Sequence, residues 1–359
     1  MSDRFMSDHP PASLMRAEAL SSPDRIAAQL TANAPRLARL AETLRARPPA
    51  FAVTVARGSS GHAANYARAL FESALGLVTG PAAPSSVTLY GAHLRLKDAL
   101  VLTVSQSGQS PDLRAVVEHA RDAGAVTLAL VNEEDSPLAH AAEHVLPLLA
   151  GPERSVAATK SFLCSLSAAA SLVAAWRPDP APPDPAFDGA LAALPDRLRR
   201  AASADWSAAR PVLAGARSML VTARGYGFPV AQEMATKLKE TCRLHAEALS
   251  AAELLHGPVA LVHDGFPVLL LAQRDETLPG VLDVARRLRG QGAHLLVASA
   301  LPEALDLAHT PLPLPDPLHP MLDPLAAAQA FYRLAADAAV DRGLDPDHPP
   351  TLSKVTRTV

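Results

Sequence analysis

The sequence predicts an α/β protein made of two copies of one parallel-sheet unit. Three observations carry that reading. Short apolar runs alternate with helix-like stretches, as parallel strands joined by helices require. The strand-loop-helix scheme recurs at a constant offset of 167 residues, aligning Arg57-Gly58 with Arg224-Gly225 and Ser105-Gln106 with Ala272-Gln273. A proline-rich stretch, "RPDPAPPDPAFD" (177–188), lies between the copies and cannot hold a helix interior.

Residues 1–47 read as an N-terminal helical segment packed outside the first unit. That unit covers 48–176, with strands at "AFAVTVA" (50–56), "ALVLTVS" (99–105) and "AVTLALV" (125–131). The linker follows at 177–188. The second unit covers 189–340, with strand-like runs opening "SMLVTARGYG" (218–227) and at "FPVLLLAQ" (266–273) and "AHLLVASA" (293–300). A second proline-rich stretch, "TPLPLPDPLHPMLDP" (310–324), precedes a last helix-like segment, and 341–359 form a C-terminal tail.

Composition narrows the function. With 359 residues, 49% hydrophobic content and a net charge of −3, the chain fits a globular protein with a sizeable core and no nucleic-acid partner. Its two cysteines, Cys164 and Cys242, give no disulfide framework and no metal site, which points to a reducing cytoplasm. The first twenty residues lack the apolar core of a signal peptide. The best membrane candidate, "SFLCSLSAAASLVAAW" (161–176), is short and dotted with serine, so a buried helix is expected. No metal-ligand spacing such as HExxH occurs, and no cofactor is expected.

Two loops suit a phosphate. "ARGSSGH" and "SQSGQSPD" each follow a strand and open a helix, where free backbone N–H groups favour an anion. Gly58, Ser59, Ser60, Ser105, Gln106, Ser107 and Ser110 are the candidate ligand-binding residues. Serine and glycine also cap helices and make turns, and for either loop alone that reading is equally good. At the matching loop the second copy reads Ala272-Gln273-Arg274-Asp275, without the Ser105 hydroxyl, so one phosphosugar site per chain is expected.

In order along the chain stand "ARGSS", "SQSGQSPD", "AGPERSVAATKSF", "KLKETCRLHAEALSAAELLHGPVALV" and "LSKVT". This set resembles the SIS (sugar isomerase) family, and in particular the isomerase half of glucosamine-6-phosphate synthase. The resemblance implies two tandem SIS units, each a doubly wound, flavodoxin-like parallel sheet. The synthase carries an N-terminal glutaminase domain with a cysteine nucleophile, and no cysteine here precedes Cys164. The chain is therefore similar to stand-alone SIS-type glucosamine-6-phosphate deaminases. That implies a hydrolase of amino-sugar catabolism, an isomerising deaminase converting glucosamine 6-phosphate and water to fructose 6-phosphate and ammonia. Galactosamine 6-phosphate and fructosamine 6-phosphate are alternative substrates, and a non-catalytic phosphosugar sensor is a third reading.

The resemblance assigns roles. Glu240 matches the family glutamate that carries a proton between C1 and C2, with Lys237 one turn away to tune it. His256 in "LLHGP" matches the ring-opening histidine, on a loop that reaches the neighbouring subunit's site and so implies a homodimer. Glu247 and Glu253 read as supports of that loop. The Val156 and Ala157 backbone lines the sugar. Ser353 and Lys354 belong to a tail that closes the site, with Lys354 forming a Schiff base or polarising a carbonyl. Five of the chain's 33 basic residues are lysine, and four of those five, all but Lys97, fall inside these motifs. Arginine cannot replace lysine where a compact or deprotonatable charge is needed.

Overall fold

The computed structural model describes residues 13–177 and 184–354. Two helices come first, α1 (Leu14–Leu20) and α2 (Ser22–Ala46). The first unit then runs β1 (Phe51–Val55), α3 (Gly58–Leu75), β2 (Thr79–Pro81), α4 (Pro84–Thr88), β3 (Ala99–Ser105), α5 (Pro111–Asp122), β4 (Val126–Val131), α6 (Pro137–Ala141), β5 (His144–Pro147) and α7 (Lys160–Trp176). After α8 (Pro185–Ala202) and α9 (Arg210–Gly215), the second unit runs β6 (Ser218–Ala223), α10 (Phe228–Cys242), β7 (His245–Ser250), α11 (Ala251–Leu254), β8 (Pro267–Leu271), α12 (Leu278–Gly290), β9 (His294–Ser299), α13 (Pro302–Leu305), β10 (Thr310–Pro313) and α14 (Asp323–Asp341).

The first sheet has the order β2-β1-β3-β4-β5 and the second β10-β9-β8-β6-β7, with every neighbouring pair parallel. Counted from its own first strand, each sheet reads 2-1-3-4-5, the doubly wound flavodoxin order expected from the resemblance. All of β3 ("ALVLTVS") and β4 ("VTLALV") is buried, because helices cover both sheet faces and β-branched and leucine side chains fill both layers.

The two units meet through α3 and α10. Asn65 donates to Gln232 across that contact at 2.9 Å, and these residues are themselves 167 apart. The sequence offset is thus a pseudo-twofold axis in space. α7 is buried along nearly its whole length, as its serine-dotted apolar sequence predicts, and packs against α2 and α3. Among the described residues no helix is long and apolar enough to cross a membrane.

Residues near both ends of the described chain are tied to partners far away in sequence. Asp347 caps α1, its two carboxylate oxygens each accepting at 2.7 Å from the N–H groups of Leu14 and Met15. The Asp347 carbonyl accepts from Val156 N–H at 3.1 Å. Arg342 follows α14 and donates to the carbonyls of Cys242, Leu213, Ala214 and Ala216 at 2.7–3.0 Å, which anchors the end of α10.

Some expectations change. The end of the 177–188 linker is the first turn of α8, which starts at Pro185 with Asp184 accepting from Phe187 N–H. Proline at N1 costs nothing there, because that position has no hydrogen bond to lose. Residues 178–183 and 355–359 of the expected linker and tail lie outside the described residues. "TPLP" at the head of the second proline-rich stretch is strand β10, at a sheet edge, where proline is tolerated.

Candidate functional site

Register brings the two serine loops together. β1 and β3 are neighbours with Val55 opposite Thr103, so "RGSSG" and "SQSGQS" leave the sheet side by side at the switch of strand order. Arg57 clasps the loops by donating to the fully buried carboxylate of Asp112 from Nε at 2.7 Å and Nη2 at 2.6 Å. Gly108 shapes the second loop at φ +63°, and its N–H donates to Ser105 Oγ at 3.0 Å. Ser110 is the N-cap of α5 without a side-chain cap bond.

Gly108 is a tight spot. A Cβ there would stand 2.1 Å from Ser136 Oγ and 2.5 Å from Ser136 Cβ. Gly108→Ala is expected to cost about 3 kcal/mol, from left-handed strain plus the clash. Gly58→Ala, with φ +52° and nothing within 4 Å of the new Cβ, is expected to cost about 1 kcal/mol. Urea denaturation of the two variants checks this ordering, and equal losses would contradict it.

The second unit repeats the frame but fills it. Arg57 and Arg224 share φ near −139° and the next glycines are both left-handed, at +52° and +57°. Above Gly58 the space is open, whereas a Cβ on Gly225 would meet Thr277 at 3.2 Å and Asp275 at 3.7 Å. Asp275 stands at the Gly108 position. Its Oδ1 accepts from Thr277 N–H at 2.8 Å and Thr277 Oγ1 at 2.6 Å, and its Oδ2 accepts from Gln273. The second unit's own carboxylate thus takes the donors at the start of α12 that an anion would use.

A charged cluster lies between α3 and α10. On α10, Glu233, Lys237 and Glu240 share one face through i, i+3 and i+4 spacing. Lys237 is buried, donates to Glu240 Oε2 and stands 3.6 Å from Glu233 Oε1. Burial alone would lower the Lys237 pKa, but the two carboxylates outweigh it and hold the ammonium up. Glu240 is part-exposed at 28%, while Glu233 is buried. Tyr332 of α14 donates to Glu233 Oε1 at 3.2 Å. From α3, His62 meets Thr236 Oγ1 at 2.9 Å; burial, then Lys237 and Lys239, push its pKa down to about 4, so the ring is neutral at neutral pH.

The tail joins this cluster through Glu153. Lys354 Nζ donates to Glu153 Oε2 at 2.8 Å. The Glu153 carboxylate also accepts from the N–H groups of Thr159 and Ser161 and from Ser161 Oγ. Burial pushes its pKa up, but Lys354 and these donors prevail and hold it below the ordinary 4.5. Lys160 instead donates to Pro152 O beside Glu18 and acts as a strut.

Of the expected site residues, Ser59 lies beside Glu233, Lys237 pairs with Glu240, Lys354 pairs with Glu153, and Val156 is on the segment held by Asp347. Ser353 is exposed beside Lys354. His256 is not brought in. It is exposed after α11, and its backbone N–H donates to Glu253 O. The side chains of Glu247 and Glu253 are exposed and make no hydrogen bond to that loop among the described residues. Sequence reasoning missed Glu153, Glu233, Tyr332 and His62. For Glu233 the signal was present, as an acid four residues before Lys237 on one helical face. Among the described residues no cluster of three or more His, Cys, Asp or Glu side chains could hold a metal.

Two doubly wound units, with one open serine-lined switch point and one buried lysine–carboxylate cluster between them, define a tandem α/β protein of the sugar-isomerase type. The chain belongs to the SIS domain family, which it matches over residues 52–175 and 212–303. It is 35% identical over 313 residues to the isomerizing glutamine–fructose-6-phosphate aminotransferase of Aeropyrum pernix, covering 84% of this chain and 50% of that protein. The Methanothermobacter thermautotrophicus enzyme of the same name is 34% identical over 309 residues, with the same coverage. The chain thus spans about half the length of the curated relatives it matches. Among solved structures, a Silicibacter pomeroyi protein assigned as a phosphosugar isomerase superposes with a TM-score of 0.85 at 39% identity, over 93% of this chain and 100% of that one. The C-terminal domain of the Francisella tularensis glucosamine-fructose-6-phosphate aminotransferase shares the fold, with a TM-score of 0.85 at 23% identity over 96% and 99% of the two chains.

These relatives correct one expectation. The resemblance implies a hydrolase, but the proteins that the chain matches carry the names of isomerising aminotransferases and phosphosugar isomerases and give a hydrolase class no support.

Proposed function

We propose that the chain is a phosphosugar isomerase acting on an amino sugar, which turns glucosamine 6-phosphate and water into fructose 6-phosphate and ammonia. One observation supports this reading: Lys237 pairs with Glu240 on α10, which packs against the helix that the Gly58–Ser60 loop opens, and Lys354 of the tail pairs with Glu153. The names of the aminotransferase relatives, which contain fructose 6-phosphate, support the sugar phosphate.

The roles follow from chemistry. The phosphate sits on the loops of Gly58–Ser60 and Ser105–Ser110, held by N–H and hydroxyl donors. Glu240 takes the proton from C2 of the open-chain sugar and returns it at C1, with Lys237 donating to it from one turn away. Held by its 2.8 Å contact with Glu153, Lys354 acts on the developing oxygen charge as a cation. His256 opens the ring from a second copy of the chain, a role that the exposure of its loop supports. The open Gly58 and the self-filled Gly225 loop support one phosphosugar per chain.

The test is direct. Purified protein is incubated with glucosamine 6-phosphate, galactosamine 6-phosphate and fructosamine 6-phosphate, and ammonia and ketose phosphate are assayed. The highest kcat/KM is expected for glucosamine 6-phosphate. Turnover no faster than that of the Glu240→Gln variant on all three would overturn the proposal.

A further inference from the structure

Lys237 is one ammonium between two carboxylates of its own helix. It donates to Glu240 and stands 3.6 Å from Glu233. Every other charge facing Glu233 has its partner or is neutral. Tyr332 on α14 donates to Glu233 as a phenol. His62 on α3 is neutral. Glu153, from the segment before α7, is matched by Lys354 of the tail. With both α10 carboxylates ionised, Glu233 and Glu240 share the single positive charge of Lys237, which leaves one negative charge in excess beside the buried Glu233.

Glu233 also touches the proposed phosphate loop. Its Oε2 is buried without a hydrogen bond of ordinary geometry, and the Ser59 hydroxyl, at the start of α3, stands close enough to help hold its proton off. A phosphate taking that hydroxyl would remove this support and bring up to two negative charges beside a desolvated carboxylate. Two like charges that close do not both stay ionised.

We infer that Glu233 is a proton receiver coupled to phosphate: it takes up a proton when a phosphorylated sugar settles on the Ser59 loop, which leaves Lys237 to pair with Glu240 alone. The proton comes from solvent and ends on Glu233 Oε2, and no bond of the ligand changes. Glu233 is a positioning residue, acting on Glu240 through Lys237. This rests on the phosphosugar reading of the site and adds a regulation to it: Glu240 becomes the fully paired carboxylate only when substrate is bound. Burial first, then Glu240, raise the Glu233 pKa against the pull of Lys237, Ser59 and Tyr332, to about 7, so small changes at Ser59 tip its charge near neutral pH.

Sorbitol 6-phosphate, which has no carbonyl to react, is the probe. Its binding enthalpy, measured at about pH 7.5 in buffers of different ionisation enthalpy, is expected to show uptake of about 0.7 proton. Glu233→Gln, which keeps the shape and removes the titration, is expected to bind with similar affinity and without that uptake. Independently of any variant, the wild-type affinity should fall roughly tenfold between about pH 7 and 8.5, as the proton that binding requires becomes scarce. Tight binding with no uptake, or uptake unchanged in Glu233→Gln, overturns the inference while leaving the phosphosugar reading intact. No binding at all overturns both.

Discussion

Lys354→Met is expected to abolish turnover and to destabilise the protein in the same stroke. Loss of the cation from the reacting end of the sugar should lower kcat by about a thousandfold, the scale of a single electrostatic stabiliser. The structural effect comes from Glu153. Its side chain is fully buried, and without Lys354 its charge keeps only the hydrogen bonds of Thr159 and Ser161. Removing one partner of a buried pair costs about 3 kcal/mol.

The pH dependence has a definite sign. Glu153 has its pKa lowered in the folded state, so its stabilising pairing is present above the ordinary 4.5 and is lost as pH falls through the lower folded value. The gap between wild type and Lys354→Met should therefore be full at neutral pH and close in acid. Adding Glu153→Gln to the variant should restore stability but not activity. Removing residues 352–359 should act like Lys354→Met, so the tail is more than a lid laid over a finished fold. Guanidinium unfolding at two pH values, with a product assay, decides it; a fully active Lys354→Met would refute the role.

The second large effect concerns Arg197 and Asp323. Arg197 of α8 is 1% exposed and donates from Nη1 to Asp323 at 2.6 Å, where α14 begins. Burial dominates both ends, lowering the Arg197 pKa and raising that of Asp323. Arg197→Leu strands the carboxylate and is expected to cost about 4 kcal/mol. The double variant Arg197→Leu/Asp323→Leu should cost about half as much, since no charge is left behind. A raised carboxyl pKa destabilises the fold above the ordinary 3.8 and ceases to do so below it, so the single variant should recover as pH falls. Equal losses in the single and double variants would refute this.

How much of this could be read from the chain depends on where each partner comes from. β3 and β4 were plain in the sequence because both faces are buried and the run is wholly apolar. The edge strands β2 ("TGP"), β5 ("HVLP"), β7 ("HAEALS") and β10 ("TPLP") were not, since they are short, polar or proline-bearing and pair along one side only. The duplication was legible, and it reappears as the Asn65–Gln232 contact. Lys237 and Glu240 share a helix, so their pairing was within reach of the sequence. Glu153 meets Lys354 across 201 residues and Glu233 meets Tyr332 across 99, and no local pattern encodes such meetings.

The cap that Asp347 places on α1 has a consequence for how the chain comes into being. Leu14 leaves the ribosome 333 residues ahead of its partner. α1 is too short to persist alone and must wait, unfinished, until that partner follows. Because the Asp347 backbone also holds Val156, the segment between Glu153 and Thr159 waits with it. A nascent chain can thus complete both of its sheets before residues 347–354 arrive to close the first helix and the Glu153 segment together.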